Sequence, residues 1–222
     1  MLSATQPLAA LEVYFDGAER SASMNMAMDE ALLESAQAPA LRFYGWRRPA
    51  LSFGYFGTFA DVANESAERE IVRRWTGGGI VPHGNDLTYS LILPQNISVR
   101  SARAVYTYVH EAILSAFGRT GEVSLAETSA PKMSDACFAN PVIADVLVGN
   151  RKIAGAAQRR TRAGLLHQGS IQYEALPRDF REAFAQALCP QWVRRNFAPE
   201  LIARARMLNE EKYATNEWLH RR

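Results

Sequence analysis

One stretch of the sequence predicts how the rest of the chain is arranged: Arg73-Arg74-Trp75-Thr76-Gly77-Gly78-Gly79-Ile80-Val81-Pro82-His83-Gly84-Asn85-Asp86-Leu87-Thr88-Tyr89. Its three consecutive glycines let the backbone come close to a ligand, and the two arginines place cationic groups beside them. The pattern fits a loop that holds an anion, and a flexible turn between two strands fits it about equally well. The runs 71–75 and 87–93 predict strands on either side, so the loop is expected at strand ends.

Composition describes an ordinary globular protein. The chain has 222 residues, of which 48% are hydrophobic and 22% charged, which fits one domain with a substantial core. A net charge of +2 argues against nucleic-acid binding by broad phosphate neutralisation. Two cysteines provide no disulfide framework, and the N-terminus lacks a signal-peptide pattern, so we expect a cytoplasmic protein that neither is secreted nor enters a membrane.

Hydrophobic periodicity predicts mixed secondary structure along the chain. Asp29, Glu30 and Glu34 are expected on the outer face of the first helix, which Ser23 would cap. Strands are predicted at 11–15 (closed by a turn at 16–17), 41–44 and 51–55 (paired as a hairpin), 71–75, 87–93, 142–148, 151–160 and 164–173; helices at 23–36, 61–70, 101–117, 180–188 and 199–220; and a mobile loop at 120–135.

This order is not a clean alternation of strands and helices. It predicts an α+β fold with a central, mostly antiparallel or mixed β-sheet flanked by helices. Residues 1–222 are expected to form a single catalytic domain, with a core at about 11–175 and a C-terminal helical segment at about 177–222.

A second informative stretch surrounds Lys152, just after the predicted hairpin turn at Gly149-Asn150. It continues as Ile153-Ala154-Gly155-Ala156-Ala157-Gln158, a strand of small residues against which a ligand or another backbone can lie. A lone lysine in such a place is most often a solvated charge. The small residues, followed by His167 and Gly169, also fit a lysine directed along a ligand groove.

Together these stretches resemble a known family. Three patterns are similar to the catalytic domain shared by lipoate-protein ligases, octanoyltransferases and biotin-protein ligases. They are Arg73-Arg74-x-Thr76-Gly77-Gly78-Gly79-x-Val81-x-His83, Gly149-x-x-Lys152-Ile153-Ala154-Gly155-x-Ala157 and His167-Gln168-Gly169-Ser170. Asn25-Met26-Ala27-x-Asp29-Glu30-Ala31 also matches the lipoate branch. The resemblance spans roughly 11–173 and implies an α+β domain that binds a medium-chain acyl group in a tunnel.

The resemblance also assigns roles to residues. Lys152 matches the lysine that contacts the acyl carbonyl or acyl-phosphate oxygen, where a cation stabilises developing negative charge. The residues that match the acyl-site walls are Arg73, Gly77, Gly78, Gly79, His83, Gly155, Ala157 and His167. His83 is either a general base or a histidine that only hydrogen-bonds the loop. No metal ligand is predicted.

Cys137 decides between two mechanisms within this family. It resembles the nucleophilic cysteine of the octanoyltransferases that look like ligases, and nearby cations would favour its thiolate. The alternative is an inert buried thiol, which is the expectation for Cys189. Transferases of this kind need no cofactor, whereas a ligase would use ATP and Mg.

Two departures favour transfer over ligation. Ala144-Asp145 stands where many ligases have Asn-Asp, and the chain ends before an accessory ligase domain would begin. The uninterrupted Gly77–Gly79 keeps the ligase hypothesis open.

We therefore expect an acyltransferase that moves octanoyl or lipoyl from a carrier-protein thioester through Cys137 to a lysine of a lipoyl domain. The alternatives are an ATP-dependent lipoate-protein ligase that forms lipoyl-adenylate and a non-catalytic lipoate- or octanoate-binding protein. The partners implied by the resemblance are acyl carrier protein or a lipoyl-domain protein such as glycine cleavage H protein.

Overall fold

The computed structural model describes residues 8–97, 101–118, 122–129 and 141–221. Eleven strands are found there: β1 Leu11–Arg20, β2 Ala40–Trp46, β3 Ala50–Phe53, β4 Glu70–Arg73, β5 Val81–His83, β6 Leu87–Pro94, β7 Val123–Leu125, β8 Val146–Val148, β9 Arg151–Arg160, β10 Gly164–Ile171 and β11 Trp192–Arg194. The α-helices of the same ranges are α1 Ala22–Ser35, α2 Ala102–Ala116, α3 Phe180–Leu188, α4 Pro199–Leu208 and α5 Asn216–Leu219.

Eight strands form one mixed sheet in the order β11-β1-β2-β6-β10-β9-β8-β7. The pairs β11/β1 and β1/β2 are parallel, and the remaining neighbours are antiparallel. Because β1 and β2 are parallel neighbours, α1 connects them as a crossover helix. The α+β class with a mixed sheet flanked by helices is confirmed.

The two faces of this sheet are covered by different helices. Apolar residues of α2 and α3 pack on one face, where Phe43, Tyr89 and Phe184 belong to the largest core cluster. On the other face lie α1 and the C-terminal α4, which share smaller clusters with side chains such as Tyr44. Both faces are therefore buried, which explains why β10 is buried at every position.

A second sheet of three strands, in the order β4-β3-β5, was not predicted. The predicted hairpin of 41–44 with 51–55 is wrong, because β2 belongs to the large sheet while β3 pairs with β4 and β5. The predicted helix at 61–70 is also wrong. Two short 3-10 turns, Phe59–Asp61 and Ala63–Ala67, lead into β4 instead.

Buried charge explains the errors around the first helix. Strand β1 runs through the predicted turn at 16–17, where Asp16 is nearly buried and forms ion pairs with Arg20 and Arg42. The helix is capped by Ser21 rather than Ser23. Asp29 and Glu30, predicted to face outward, are 0% and 6% exposed.

The remaining differences are local. Within the described part of 120–135, residues 123–125 form β7, and the strand predicted at 142–148 begins only at Val146 because Ala144 adopts φ 71°. The predicted C-terminal helix divides into α4, a π-helical turn at Asn209–Tyr213 and α5. Helices α2 and α3 and strand β9 are confirmed.

Candidate active site

A largely apolar cavity lies between the large sheet, the small sheet and α1. About 390 Å³ of space free of atoms lies within its half-open outline, including open solvent. Its lining combines aromatic and small residues with a few polar groups: Met26, Tyr44, Trp46, Ser52, Arg74, Val81, His83, Thr88, Gly155, Ala156, Ala157, Gln168, Gly169 and Ser170. An apolar slot with few polar groups suits a slender ligand that has one reactive end.

Small residues of β9 form the floor of this cavity. Gly155 pairs with Ser170 of β10 and Ala157 pairs with Gln168, so these four residues share one face of the sheet. A Cβ at Gly78 would lie 3.3 Å from the Cβ of Ala157, which places the glycine loop directly above this strand. The predicted groove along the small-residue strand therefore exists in the described structure.

The glycine loop is held against β3 by backbone contacts. Tyr55 N–H donates to the Thr76 carbonyl over 2.8 Å, and Arg74 N–H donates to the Phe53 carbonyl over 2.8 Å. A Cβ at Gly54 would lie 2.1 Å from the Gly78 carbonyl oxygen, so this close approach requires glycine. Gly78 itself has φ 88°, a left-handed conformation that also favours glycine.

Adjacent arginines point in opposite directions at the start of this loop. The Arg74 guanidinium lines the cavity and donates to Ser52 Oγ at 2.8 Å and to the carbonyls of Gly77 and Gly79 at 2.9 and 2.8 Å. Arg73 instead donates to carbonyls of the C-terminal segment and is not among the described lining residues. Alternation along a strand allows only one of the two side chains to face the cavity.

Lys152 lies at the Gly155 end of the floor. Its Nζ is 2.8 Å from Asp145 Oδ2, and both side chains are almost completely buried. A Cβ at Gly155 would lie 2.4 Å from Cε of Lys152, so the lysine chain crosses the strand where only glycine leaves room. The ammonium is thus held beside the cavity rather than in solvent.

Asp145 is fixed by two further donors. The Tyr106 hydroxyl donates to Oδ1, and Val142 N–H donates to Oδ2 over 2.7 Å. Burial, and after it the charge of Asp145, raises the pKa of Tyr106, so this hydroxyl stays protonated and remains a donor. Sequence reasoning missed Tyr106, because its place on α2 looks like an ordinary core position.

His83 is engaged by polar partners and an aromatic ring. Nε2 lies 2.7 Å from Ser52 Oγ, Nδ1 lies 2.8 Å from Asp86 Oδ2, and the ring stacks on Trp46 with centroids 4.1 Å apart. These contacts favour the role of a histidine that organises the cavity wall. Asp86 also accepts hydrogen bonds from Thr88 and Ser170. Burial raises the pKa of the Asp86 carboxyl, but the charge of His83 and these hydrogen bonds outweigh burial, so the pKa is lowered.

His167 faces the other side of the sheet, towards α2. It is fully buried, with Nδ1 2.8 Å from Gln158 Nε2 and Nε2 3.3 Å from the Tyr89 hydroxyl. Burial lowers its pKa to about 3, so the ring is neutral at physiological pH. The structure therefore places His167 behind the floor, while His83, Gly155 and Ala157 line the cavity directly.

A buried polar network supports the cavity from α1. Asp29 accepts from Arg42 at 2.7 Å and from Gln168 Nε2 at 2.7 Å, and the carbonyl oxygen of the Gln168 side chain accepts from Thr76 at 2.8 Å. The network links α1, β2, β10 and the start of the glycine loop. The Asn25-to-Ala31 motif could have signalled it, since two adjacent acids on an otherwise apolar helix need buried partners.

Of the two cysteines, only Cys189 lies within the described residues, and Cys137 lies outside them. Cys189 is 0% exposed and ends α3, as expected for an inert thiol. Among the residues with described positions, no group of three or more His, Cys, Asp or Glu side chains could hold a metal ion.

The fold combines a mixed sheet covered by helices with an apolar cavity whose floor is a strand of small residues. A model of the lipoyl protein ligase A/B catalytic domain matches residues 21–215. The chain belongs to this family, and the resemblance noted from its motifs is confirmed. No described helix is long and apolar enough to cross a bilayer.

Several curated relatives are named octanoyltransferase LipM. The chain is 36% identical over 170 residues to that of Oceanobacillus iheyensis, covering 71% of this chain and 62% of the relative. Identity is 30% over 268 residues with that of Lysinibacillus sphaericus, covering 92% and 97%, and 35% over 177 residues with that of Bacillus subtilis, covering 71% and 64%. Two of these three matches thus span less than two thirds of the relative.

Solved structures share the fold at low identity. A lipoate-protein ligase A bound with ATP has a TM-score of 0.72 and 21% identity, covering 96% of this chain and 98% of its own. A chain from a structure of a bi-partite lipoate protein ligase and its E2 lipoyl domain, from Thermoplasma acidophilum, has a TM-score of 0.73 and 21% identity, covering 98% and 99%. These similarities confirm the fold.

Proposed function

We propose that this protein is an acyltransferase that moves an octanoyl or lipoyl group from a carrier-protein thioester to a lysine of a lipoyl domain. The observation that carries the proposal is the buried Lys152 ammonium at the Gly155 end of an apolar cavity. The relatives named octanoyltransferase, at 30–36% identity, support the same activity.

The cavity suits the acyl chain. Tyr44, Trp46 and Val81 provide apolar walls, and burying each methylene of a chain there contributes roughly 0.8 kcal/mol to binding. The glycine loop contacts Ala157 and closes the cavity there. Binding energy from the chain would then position the acyl carbonyl near Lys152.

Lys152 would act as the electrophilic group. When a nucleophile adds to the acyl carbonyl, negative charge develops on the carbonyl oxygen, and a preorganised cation stabilises it most in a site that excludes water. Asp145 and Tyr106 hold the ammonium in place before the substrate arrives. Removal of the charge would therefore affect kcat more than substrate binding.

Cys137 is proposed as the nucleophile on the basis of its sequence motif. Its thiolate would attack the donor thioester, form an enzyme thioester and release the carrier thiolate, which takes up a proton. The neutral amine of the acceptor lysine would then attack the enzyme thioester, form an amide, expel the sulfur as thiolate and lose one proton, which balances the proton taken up by the carrier. Neither step needs a cofactor.

Intact-mass measurement tests this directly. After mixing with octanoyl acyl carrier protein and no acceptor, the wild type and Cys189→Ala should gain one octanoyl group, and Cys137→Ala should gain none. An unmodified wild type with a donor that other transferases accept would refute the mechanism. The acceptors proposed for the second step are a lipoyl domain and glycine cleavage H protein, which the resemblance to the family suggests.

A ligase activity is the second candidate, favoured by the uninterrupted Gly77–Gly79 whose carbonyls Arg74 organises. A ligase would use ATP and Mg to convert lipoate into lipoyl-adenylate. If Cys137→Ala lipoylates its acceptor at the wild-type rate with lipoate and ATP, ligation is the activity.

A further inference from the structure

A serine, a histidine and a carboxylate form a chain of hydrogen bonds along one wall of the acyl cavity. Ser52 Oγ lies 2.7 Å from His83 Nε2, and His83 Nδ1 lies 2.8 Å from Asp86 Oδ2. The three side chains are almost completely buried, and Ser52 and His83 both line the cavity. Groups in this order and at these distances can move a proton, because the carboxylate orients the ring and the ring accepts from the hydroxyl.

The direction of each hydrogen bond follows from the chemistry of its partners. The pKa of the Asp86 carboxyl is lowered, so Asp86 is ionised and can only accept, and His83 Nδ1 therefore carries a proton. In the neutral ring Nε2 is then an acceptor, and the Ser52 hydroxyl donates to it. Arg74, which has no acceptor, donates to the same Oγ over 2.8 Å. The basic atom of the chain is thus His83 Nε2, which is reached through Ser52.

The chain adjoins the end of the cavity where Lys152 lies. Ser170 pairs with Gly155 across β9 and β10, and the Ser170 hydroxyl donates to Asp86 Oδ2 over 2.7 Å. Lys152, which packs against Gly155, is the group proposed to contact the acyl carbonyl. Because Gly155, Ser170 and Ser52 line the same cavity, a carbonyl bound at its Gly155 end shares that space with the Ser52 hydroxyl.

We propose that Ser52, His83 and Asp86 form a proton relay for the second half of the proposed reaction, in which the acceptor amine attacks the octanoyl-enzyme. The inference rests on the proposed function and names the base that this step requires. Since Ser52 covers Nε2, His83 keeps its place in the cavity wall and accepts the proton through the hydroxyl. Asp86 holds the ring in the required tautomer and stabilises the imidazolium that forms.

The relay removes the proton that the acceptor must lose. As the neutral lysine amine forms a C–N bond with the thioester carbonyl, its proton passes to Ser52 Oγ while the Ser52 hydroxyl proton passes to His83 Nε2. The C–S bond then breaks, and the sulfur of Cys137 leaves as thiolate. The imidazolium finally loses one proton to solvent, and His83 also borders a second, wider hollow at the protein surface. Ser52 itself is not acylated.

Single-turnover transfer from the octanoyl-enzyme tests the relay. Wild type and His83→Gln are loaded with octanoyl acyl carrier protein, and loss of the octanoyl group is followed by intact mass after addition of a lipoyl domain or of hydroxylamine. Glutamine can donate and accept hydrogen bonds but is not a base. We expect His83→Gln to load normally, to transfer to the lipoyl domain about a hundredfold more slowly, and to react with hydroxylamine, a weakly basic amine that needs no base, at the wild-type rate.

The dependence on pH separates a base from a structural role. Neutral imidazole accepts a proton and imidazolium does not, so the ratio of the wild-type rate to the His83→Gln rate should fall as the pH is lowered from 8 to 6. An unchanged rate with the lipoyl domain, an equal slowing with hydroxylamine, or the same ratio at every pH would overturn the proposal.

Further variants test the other members of the relay and remain informative if His83→Gln does not fold. Ser52→Ala should slow transfer to the lipoyl domain as strongly, and Ser52→Thr, which keeps the hydroxyl, should recover most of the rate. Asp86→Asn should slow the same step at least about tenfold. The matched control is His220→Gln, since His220 is an exposed histidine whose Nδ1 lies 3.0 Å from the Asn216 carbonyl, and it should behave like wild type.

The two halves of the reaction keep this inference distinct from the proposed function. A wild type that does not form the octanoyl-enzyme would reject the transferase and the relay with it. A wild type that loads and transfers, with His83→Gln and Ser52→Ala transferring at the same rate, would reject the relay and leave the transferase intact.

Discussion

At the scale of single residues, Gly54 sets how closely the glycine loop approaches the small sheet. A Cβ added there would meet the Gly78 carbonyl oxygen at 2.1 Å and the Gly77 carbonyl carbon at 2.8 Å, both backbone atoms that cannot rotate away. Gly54→Ala must therefore displace the loop from Ala157. We expect KM for the acyl donor to rise at least about tenfold, because a 1 Å displacement can cost more than that.

The control for this substitution is Gly45→Ala. A Cβ at Gly45 meets nothing within 4 Å, so this variant should keep the wild-type KM. Steady-state kinetics with both variants would show whether the loop position matters. Equal KM values for Gly54→Ala and wild type would contradict the role given to the loop.

Ala144 adopts an unfavourable backbone conformation just before Asp145. Its φ of 71° is left-handed, a region that costs an alanine about 1–2 kcal/mol relative to its preferred conformations. Glycine and asparagine tolerate it better, although glycine also gives the unfolded chain more freedom. We expect Ala144→Asn and Ala144→Gly to raise the unfolding free energy by about 0.5–1 kcal/mol, measured by urea titration; a decrease for both would show that the Ala144 side chain matters more than its backbone.

At the scale of elements, Arg73 attaches the C-terminal segment to the small sheet. Its guanidinium donates to the carbonyls of Trp218, Leu219 and Arg221 and to those of Tyr55 and Gly57, over 2.6–3.0 Å. Trp218 returns a hydrogen bond from Nε1 to the Arg73 carbonyl. The C-terminal segment is thus fixed by the residue next to Arg74.

Arg73→Lys should weaken this attachment strongly. Lysine has three donors and cannot reach five carbonyls arranged around a planar guanidinium, so at least two of these buried or partly buried carbonyls would lose a partner. We expect the free energy of unfolding to fall by about 2–4 kcal/mol, with earlier proteolysis near the C-terminus.

Arg47→Lys provides the comparison for this variant. Arg47 forms an ion pair with Glu70 and is more than half exposed, so its replacement should change stability by less than about 1 kcal/mol. Similar losses for the two variants would mean that Arg73 is no more than a surface charge.

At the scale of the whole molecule, the sequence predicts elements better than their arrangement. Helix α2 has a clear apolar period, an N-cap at Ser101 and Gly118 beyond its end, and it forms as expected. The separation of β3 from β2 was not predictable in this way, because it depends on which distant strands pair. Local pattern carries little information about that choice.

For the candidate site as well, local sequence predicts some residues, whereas others depend on how distant segments come together. Motifs pointed to Gly155 and Ala157, which line the cavity, and to Lys152, whose side chain packs against Gly155. Tyr106 was missed. Arg74 and Gly54 were noted as neighbours of a ligand loop but not chosen as site residues, since their importance follows from close approach and side-chain direction. Asp29 was assigned to solvent because a carboxylate on a helix is usually exposed. Its burial is explained by four donors, which are Arg42, Gln168, Tyr44 and Ser90.

Two buried histidines between the sheet and α2 should make the fold sensitive to acid. Burial lowers the pKa of His167 to about 3, and burial, with smaller contributions from His167 and Lys152, lowers that of His110 well below its usual value. Neither ring nitrogen of His110 meets a hydrogen-bond partner in the described part of the chain. Both histidines are therefore neutral in the folded protein at pH 7 and bind protons more readily when it unfolds.

The sign of the effect follows from this difference. Below about pH 6.5 the unfolded chain binds more protons, so the free energy of unfolding should fall as the pH decreases from about 6.5 towards 3, by up to about 1.4 kcal/mol per pH unit for each histidine. His110→Phe replaces an unpartnered ring that packs edge-on against Tyr106, and it should reduce the slope between pH 7 and pH 5 by about half without a loss of stability at pH 7. Urea titrations of wild type and variant at pH 7, 6 and 5 measure both slopes, and identical slopes would exclude His110 as a source of the acid sensitivity.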